Sequence, residues 1–198
     1  MENEVKEPDM SYGGIYSYAD YLQWTIEARF ELIKGKVFKM SPAPSRAHQK
    51  LSMNISGQLW NFLRHQSCQV FSAPFDVRLP RKSKNDKDVI TVVQPDVCVI
   101  CDPKKLDDRG CIGAPDIVIE ILSPGNNDKE LRNKYEVYEE SGVKEYWIIS
   151  PQNKTFFRYT LVDGNYQASK LMITGDVIET PILPGFQLDL TELFDEVE

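Results

Sequence analysis

"PDIVIEILSPGNNDKELRNKYEVYEESGVKEYWIIS", Pro115 to Ser150, joins two apolar runs through a polar segment with helical spacing. Ile117 to Leu122 is almost continuously apolar, which reads as a central strand covered on both faces. A helix beginning near Asp128 follows, with capping-box spacing at Asn127 and Glu130 and a suitable terminator in Gly142. A second strand at 144–149 completes a βαβ unit, whose strands are expected to be parallel. Two charges sit awkwardly in this pattern. Glu120 interrupts the first strand, and Lys134 lies about 65° from the centre of the stripe formed by Leu131, Tyr135 and Tyr138. Burying either charge alone is costly, so each calls for a partner or a metal.

The surrounding chain has 198 residues, 41% apolar and 27% charged, enough for a sizeable core. We expect an N-terminal segment at 1–15 that is loosely ordered and one domain at 16–198. No apolar run reaches the length of a membrane span, and the first ten residues are charged, so a cytoplasmic protein is expected. Cys98 and Cys101 form a CxxC within the strand-like VCVIC, where residues three apart point to opposite faces and cannot share an ion. Cys68, Cys98, Cys101 and Cys111 therefore read as reduced core cysteines. The net charge of −7, from 30 acids and 23 bases, argues mildly against a nucleic-acid partner. A metal held by clustered carboxylates would reverse that sign locally.

Working outward, "SYADYLQWTI" predicts a helix capped by Ser17, and "FELIKGKVFKM" predicts a hairpin turning at Gly35. "SPAPS" breaks the pattern. "SRAHQKLSMNISGQLWNFLRH" is the longest amphipathic helix, with Ser45 as its cap. "CQVFSAPFDVRL" reads as one strand to Leu79, "VITVVQPDVCVICD" as another, and "PKKLDDRGCIGA" as an irregular connection. "TFFRYTLVDGNYQASKLM" predicts a hairpin about Asp163-Gly164. A short helix closes the chain. The class is α/β or α+β: a mixed sheet flanked by helices, with a β-rich N-terminal hairpin and C-terminal extension.

Asp96, Glu120 and Glu31 are carboxylates in apolar strands. Taken singly, each also fits an outward-pointing position, although Glu120 fits it least. A lone Lys134 fits a stem packed on the core with its ammonium in water. Together, carboxylates converging on a hard cation beside a lysine suit phosphodiester hydrolysis. Mg²⁺ prefers oxygen ligands and accepts one or two protein carboxylates, and a lysine adds electrostatic stabilisation. Asp116 precedes Glu120 by four residues, about 13 Å along a strand, too far to share an ion. His48 is a secondary candidate, though a lone helix histidine is more often a capping or packing residue. Asp128 suits a helix start, the Ser123-Pro124-Gly125 turn suits backbone geometry, and Gln94 is a candidate for positioning substrate.

Pro95-Asp96 followed by Glu120 resembles the PD-(D/E)XK nuclease superfamily, except that Leu122 stands where the usual lysine falls. "FELIKGKV", "SRAHQKL", "QPDVCVI", the block Pro115–Ile149 and "LPGFQLDLTELF" resemble a bacterial restriction-endonuclease family, abundant in cyanobacteria, in which the lysine has moved to the following helix. The likeness runs from about Tyr18 to Phe194. It implies a restriction-endonuclease-like fold, Asp96 and Glu120 as metal ligands, Lys134 and Glu31 as further catalytic residues, Mg²⁺ or Mn²⁺ as cofactor, DNA as substrate and a homodimer. The alternative is a non-catalytic binding or interaction module of the same fold. A serine or cysteine hydrolase finds no support, since no GxSxG is present. On the nuclease reading, Glu120→Gln and Lys134→Ala abolish cutting and leave stability nearly unchanged.

Overall fold

A computed structural model describes residues 7–11, 13–25, 28–40, 44–123, 128–195 and 197, without the side chains of 128–130. The predicted Asn127–Glu130 capping box, the Ser123–Gly125 turn, the SPAPS break and the loose segment at 1–15 therefore lie partly outside the described residues.

The helix expected from Ser17 is a single turn, α1 (Tyr18–Tyr21), whose Asp20 carboxylate accepts from the Ser17 amide at 2.8 Å. The apolar spacing beyond it serves an aromatic cluster instead, with Trp24 against Tyr16, Tyr21 and Phe30. The hairpin is as predicted: β1 (Phe30–Ile33) and β2 (Lys36–Lys39) pair antiparallel. Lys34 at φ 52° and Gly35 at φ 76° give the left-handed pair that such a two-residue turn requires. The helix α2 (Arg46–Leu63) starts at Ser45, whose Oγ accepts the His48 amide. His48, Leu51, Ile55, Leu59 and Leu63 form its buried stripe.

Two segments expected as single strands are each divided. "CQVFSAPFDVRL" gives β3 (Gln69–Ser72) and β4 (Val77–Arg78), broken around Pro74, which has no amide proton for a ladder. "VITVVQPDVCVICD" gives β5 (Val92–Val93) and β6 (Val97–Ile100), broken around Pro95. The connection expected to be irregular contains β7 (Leu106–Asp107) and β8 (Gly110–Ile112). Next come β9 (Ile117–Ile121), α3 (Asp128–Ser141) and β10 (Glu145–Ser150), the predicted βαβ unit. Gly142 at φ 84° ends α3, as expected. The hairpin of β11 (Thr155–Val162) and β12 (Asn165–Ala168) turns at Asp163-Gly164. β13 (Met172–Ile173), β14 (Val177–Glu179), β15 (Gln187–Asp189) and α4 (Leu190–Leu193) complete the order.

The central sheet runs β12-β11-β10-β9-β6-β3, with β13 added to β11, and a second sheet runs β2-β1-β5-β4-β8-β7. Side-chain alternation on β9 assigns its two faces. Ile117, Ile119 and Ile121 pack with Leu51, Ile55 and Leu59 of α2, whereas Val118 packs with Tyr138 of α3 and with Ile33 and Val93 of the second sheet. Glu120 shares the parity of Val118, so it points into the layer between α3 and the second sheet. Among the described residues, no helix is long and apolar enough to cross a membrane.

The cysteine expectation is corrected. Cys68 and Cys101 are joined by a disulfide. β3 and β6 pair with Gln69 opposite Ile100, and one further step of that register places the two cysteines opposite each other. A reading within VCVIC could not see this, because the partner comes from the neighbouring strand. Cys98 and Cys111 are buried and free, and burial pushes the Cys111 thiol up to about 11.

The two faces of α2 should answer differently to truncation. Leu59→Ala, at a site with no exposure, is expected to cost about 2–5 kcal/mol. Met53→Ala, at a residue 73% exposed, should stay within about 0.5 kcal/mol. Urea unfolding of both variants checks the assignment.

Candidate active site

The breaks at Pro74 and Pro95 carry the chain between the two sheets, and the candidate residues gather at that crossing. β6 runs antiparallel to β9 with Val97 opposite Ile119. One more step of the same register sets Asp96 opposite Glu120. Like charges at facing positions repel, so this pair needs a cation.

Part of that need is met by Lys134. Its Nζ lies 2.9 Å from Glu120 Oε1 and 3.0 Å from Glu31 Oε1. All three side chains are buried: Glu31 at 2%, Glu120 at 8% and Lys134 at 5% exposure. Helical spacing brings a second donor, because Tyr138 lies four residues beyond Lys134 on the same side of α3. Its hydroxyl donates to Glu120 Oε1 at 2.8 Å. Glu31 Oε1 also accepts the Gln94 amide at 2.8 Å.

Counting charges gives the direction of each titration. Burial pushes the Glu120 carboxyl up and Lys134 pulls it down, but nearby Asp96 and Glu31 push it up further, to about 7. Burial alone would lower Lys134. The two carboxylates outweigh it and hold the ammonium well above the usual lysine range. Tyr138 is raised well above its ordinary value by burial and then by Glu120 and Glu31, so its hydroxyl stays a donor.

Asp96 is held from both sides. Its Oδ2 accepts the Ile121 amide at 2.7 Å, and its Oδ1 lies 3.2 Å from His48 Nε2. Burial disfavours the charged imidazole, yet the bond and charge of Asp96 prevail and raise His48 above its ordinary range. Asp116 lies at the other end of β9, where it accepts the Cys101 amide and pairs with Lys144. Its work is structural.

A cleft of about 260 Å³ opens over this group, and Asp96, Glu120, Lys134, His48, Gln94 and Ser123 are among its lining residues. Glu31 is not; it sits behind Lys134. The donor set fits a hard divalent ion. Glu120 Oε2 has no hydrogen bond among the described residues, because both donors go to Oε1. Gln94 Oε1 is buried without a partner. Its amide orientation is fixed, since Nε2 donates at 2.9 Å to the Asp76 carboxylate, which can only accept. Among the described residues no three His, Cys, Asp or Glu side chains form a ready metal cage. Mg²⁺ needs none, because it commonly takes one or two carboxylates and completes its shell with water and phosphate.

Asp96, Glu120, Lys134 and Glu31 are thus brought together, with His48 and Gln94 beside them. The Asp128 side chain lies outside the described residues. Tyr138 was read only as part of a buried stripe. The signal available for it was its spacing of four from Lys134.

The chain matches the family described as "Uma2: Putative restriction endonuclease" over residues 18–191. It is 25% identical over 159 residues to "Uncharacterized protein slr1290" of Synechocystis sp. (strain ATCC 27184 / PCC 6803 / Kazusa), covering 76% of this chain and 80% of that protein. Its fold resembles the crystal structure of "a putative nuclease belonging to DUF820" from Anabaena variabilis ATCC 29413, with a TM-score of 0.71 at 20% identity. That likeness covers 90% of this chain and 97% of the other.

The burial of Lys134 changes one expectation. Lys134→Ala leaves two carboxylates facing each other without a cation, and should cost roughly 3–5 kcal/mol in thermal or urea unfolding. Glu120 adds a pH dependence. Its folded value of about 7 lies above the ordinary glutamate value of 4.5, so the folded state binds the extra proton. That stabilisation is complete below the unfolded value and is lost as pH rises through about 7. Metal-free wild type should lose stability across this window relative to Glu120→Gln, and parallel melts across pH check it.

Proposed function

The chain belongs to the Uma2 family, described as "Putative restriction endonuclease", and from that premise we propose that it hydrolyses phosphodiester bonds in DNA with Mg²⁺ or Mn²⁺ held by Asp96 and Glu120. The observation that carries this reading is the charge count at the cleft. Glu31 and Glu120 share one ammonium while Asp96 adds a third carboxylate nearby, and among the described residues Glu120 Oε2 and Gln94 Oε1 lack hydrogen-bond partners. A bound divalent ion supplies a more acidic water and neutralises charge on the phosphate.

The chain's own residues set the stage for that chemistry. Tyr138 and Lys134 fix Glu120, a lining residue of the cleft, through Oε1. The Ile121 amide and His48 fix Asp96. Lys134, held as an ammonium, cannot take a proton from water. Its part is to donate to a phosphate oxygen and stabilise the charge that grows there. Glu31 is a positioning residue that anchors Lys134 from behind. We place the working species as a homodimer, because cutting both strands calls for two such clefts.

Nicking of supercoiled plasmid tests the proposal. Purified protein should nick in Mg²⁺ or Mn²⁺ and stop in EDTA. Asp96→Asn and Glu120→Gln should each lose on the order of 10³-fold, the equivalent of several kcal/mol of transition-state stabilisation. Undiminished cutting by either variant would remove the proposed site. A folded wild type that binds DNA without cutting it under any divalent ion would favour the binding-module reading.

A further inference from the structure

The phosphate being cut is flanked by others on the same strand, and an acidic site repels all of them. The cationic groups at the centre of the cleft are already engaged by carboxylates. Lys134 is shared by Glu31 and Glu120, and His48 faces Asp96. Arg29 differs. It lines the cleft and is exposed, and no carboxylate pairs with it among the described residues.

Its position follows from the hairpin. The Met40 amide donates to the Arg29 carbonyl at 3.0 Å, which extends the β1–β2 ladder by one step beyond Phe30 and Lys39. Arg29 therefore shares a face with Glu31 two residues on, about 7 Å along the strand. That is a displacement of the order of one nucleotide. The exposed Gln49 and the hydroxyl-bearing Ser52 of α2 line the same cleft.

Resting on the nuclease reading above, we propose that Arg29, with Gln49 and Ser52 of the same cleft, forms a subsite for the phosphate next to the scissile one. A guanidinium presents a planar fork to two phosphate oxygens, with no carboxylate to release first. The subsite reads backbone rather than base, so it adds affinity and register without sequence preference.

The test is anisotropy with a short labelled duplex in Ca²⁺, in place of Mg²⁺, across a series of salt concentrations. Arg29→Ala should weaken binding about tenfold or more. It should also lower the steepness of log K against log salt by about 0.9, the value for one phosphate contact. Arg29→Lys should restore the slope and only part of the affinity. Lys39→Ala is the control. Lys39 pairs with Phe30 and so faces away from Arg29 and Glu31, and its loss should leave the slope unchanged. Wild-type slope and affinity in Arg29→Ala, or an equal loss in Lys39→Ala, would overturn the subsite while leaving the nuclease reading intact. A wild type that neither binds nor cuts DNA would sink both.

Discussion

One ammonium shared between carboxylates from two sheets is the constraint on which the rest of the site depends. Lys134 comes from α3, Glu120 from the central sheet and Glu31 from the second sheet. The three meet only if both sheets and the helix are packed in one arrangement. Buried ion pairs are weak evidence of stability, because desolvation offsets much of the attraction. Here the balance is worse, since a further carboxylate, Asp96, adds to the acid excess around the same ammonium. A fold that keeps such an excess points to something that binds there.

Local order around the pair makes that excess usable. Among the described residues both donors to Glu120 approach Oε1, which leaves the second oxygen uncommitted. Asp96 is gripped by a backbone amide and a buried imidazole. Gln94 links the two halves. Its amide nitrogen holds Glu31, and its side chain is turned by Asp76 so that Oε1 stays unpartnered. Pre-set geometry of this kind lowers the cost of binding, because few side chains must be reordered.

Much of this was legible in the sequence, and the remainder depended on contacts between distant segments. Glu120 and Lys134 stood out because strand burial and helical phase are local properties of Pro115–Ser150. The βαβ unit, the Gly35 hairpin and the Asp163-Gly164 hairpin carried equally local signals. The split of "VITVVQPDVCVICD" did not. Its apolar content is continuous, and only the transfer from one sheet to the other shows why Gln94-Pro95 interrupts it. The same transfer brings Glu31 to Lys134, a contact spanning about half the chain. The Cys68–Cys101 bond was missed for a related reason, since it lies across two strands in a register that composition does not encode.

The central claim is that a divalent ion binds between Asp96 and Glu120, next to Lys134. Crystals soaked in Mn²⁺ and measured for anomalous scattering test it most directly. A peak is expected between the Asp96 and Glu120 carboxylates, which would hold the ion at oxygen distances of about 2.1 Å, typical of a small hard cation. A saturating soak with no peak in the cleft, or with manganese bound only at surface acids while both carboxylates keep their present partners, would contradict it.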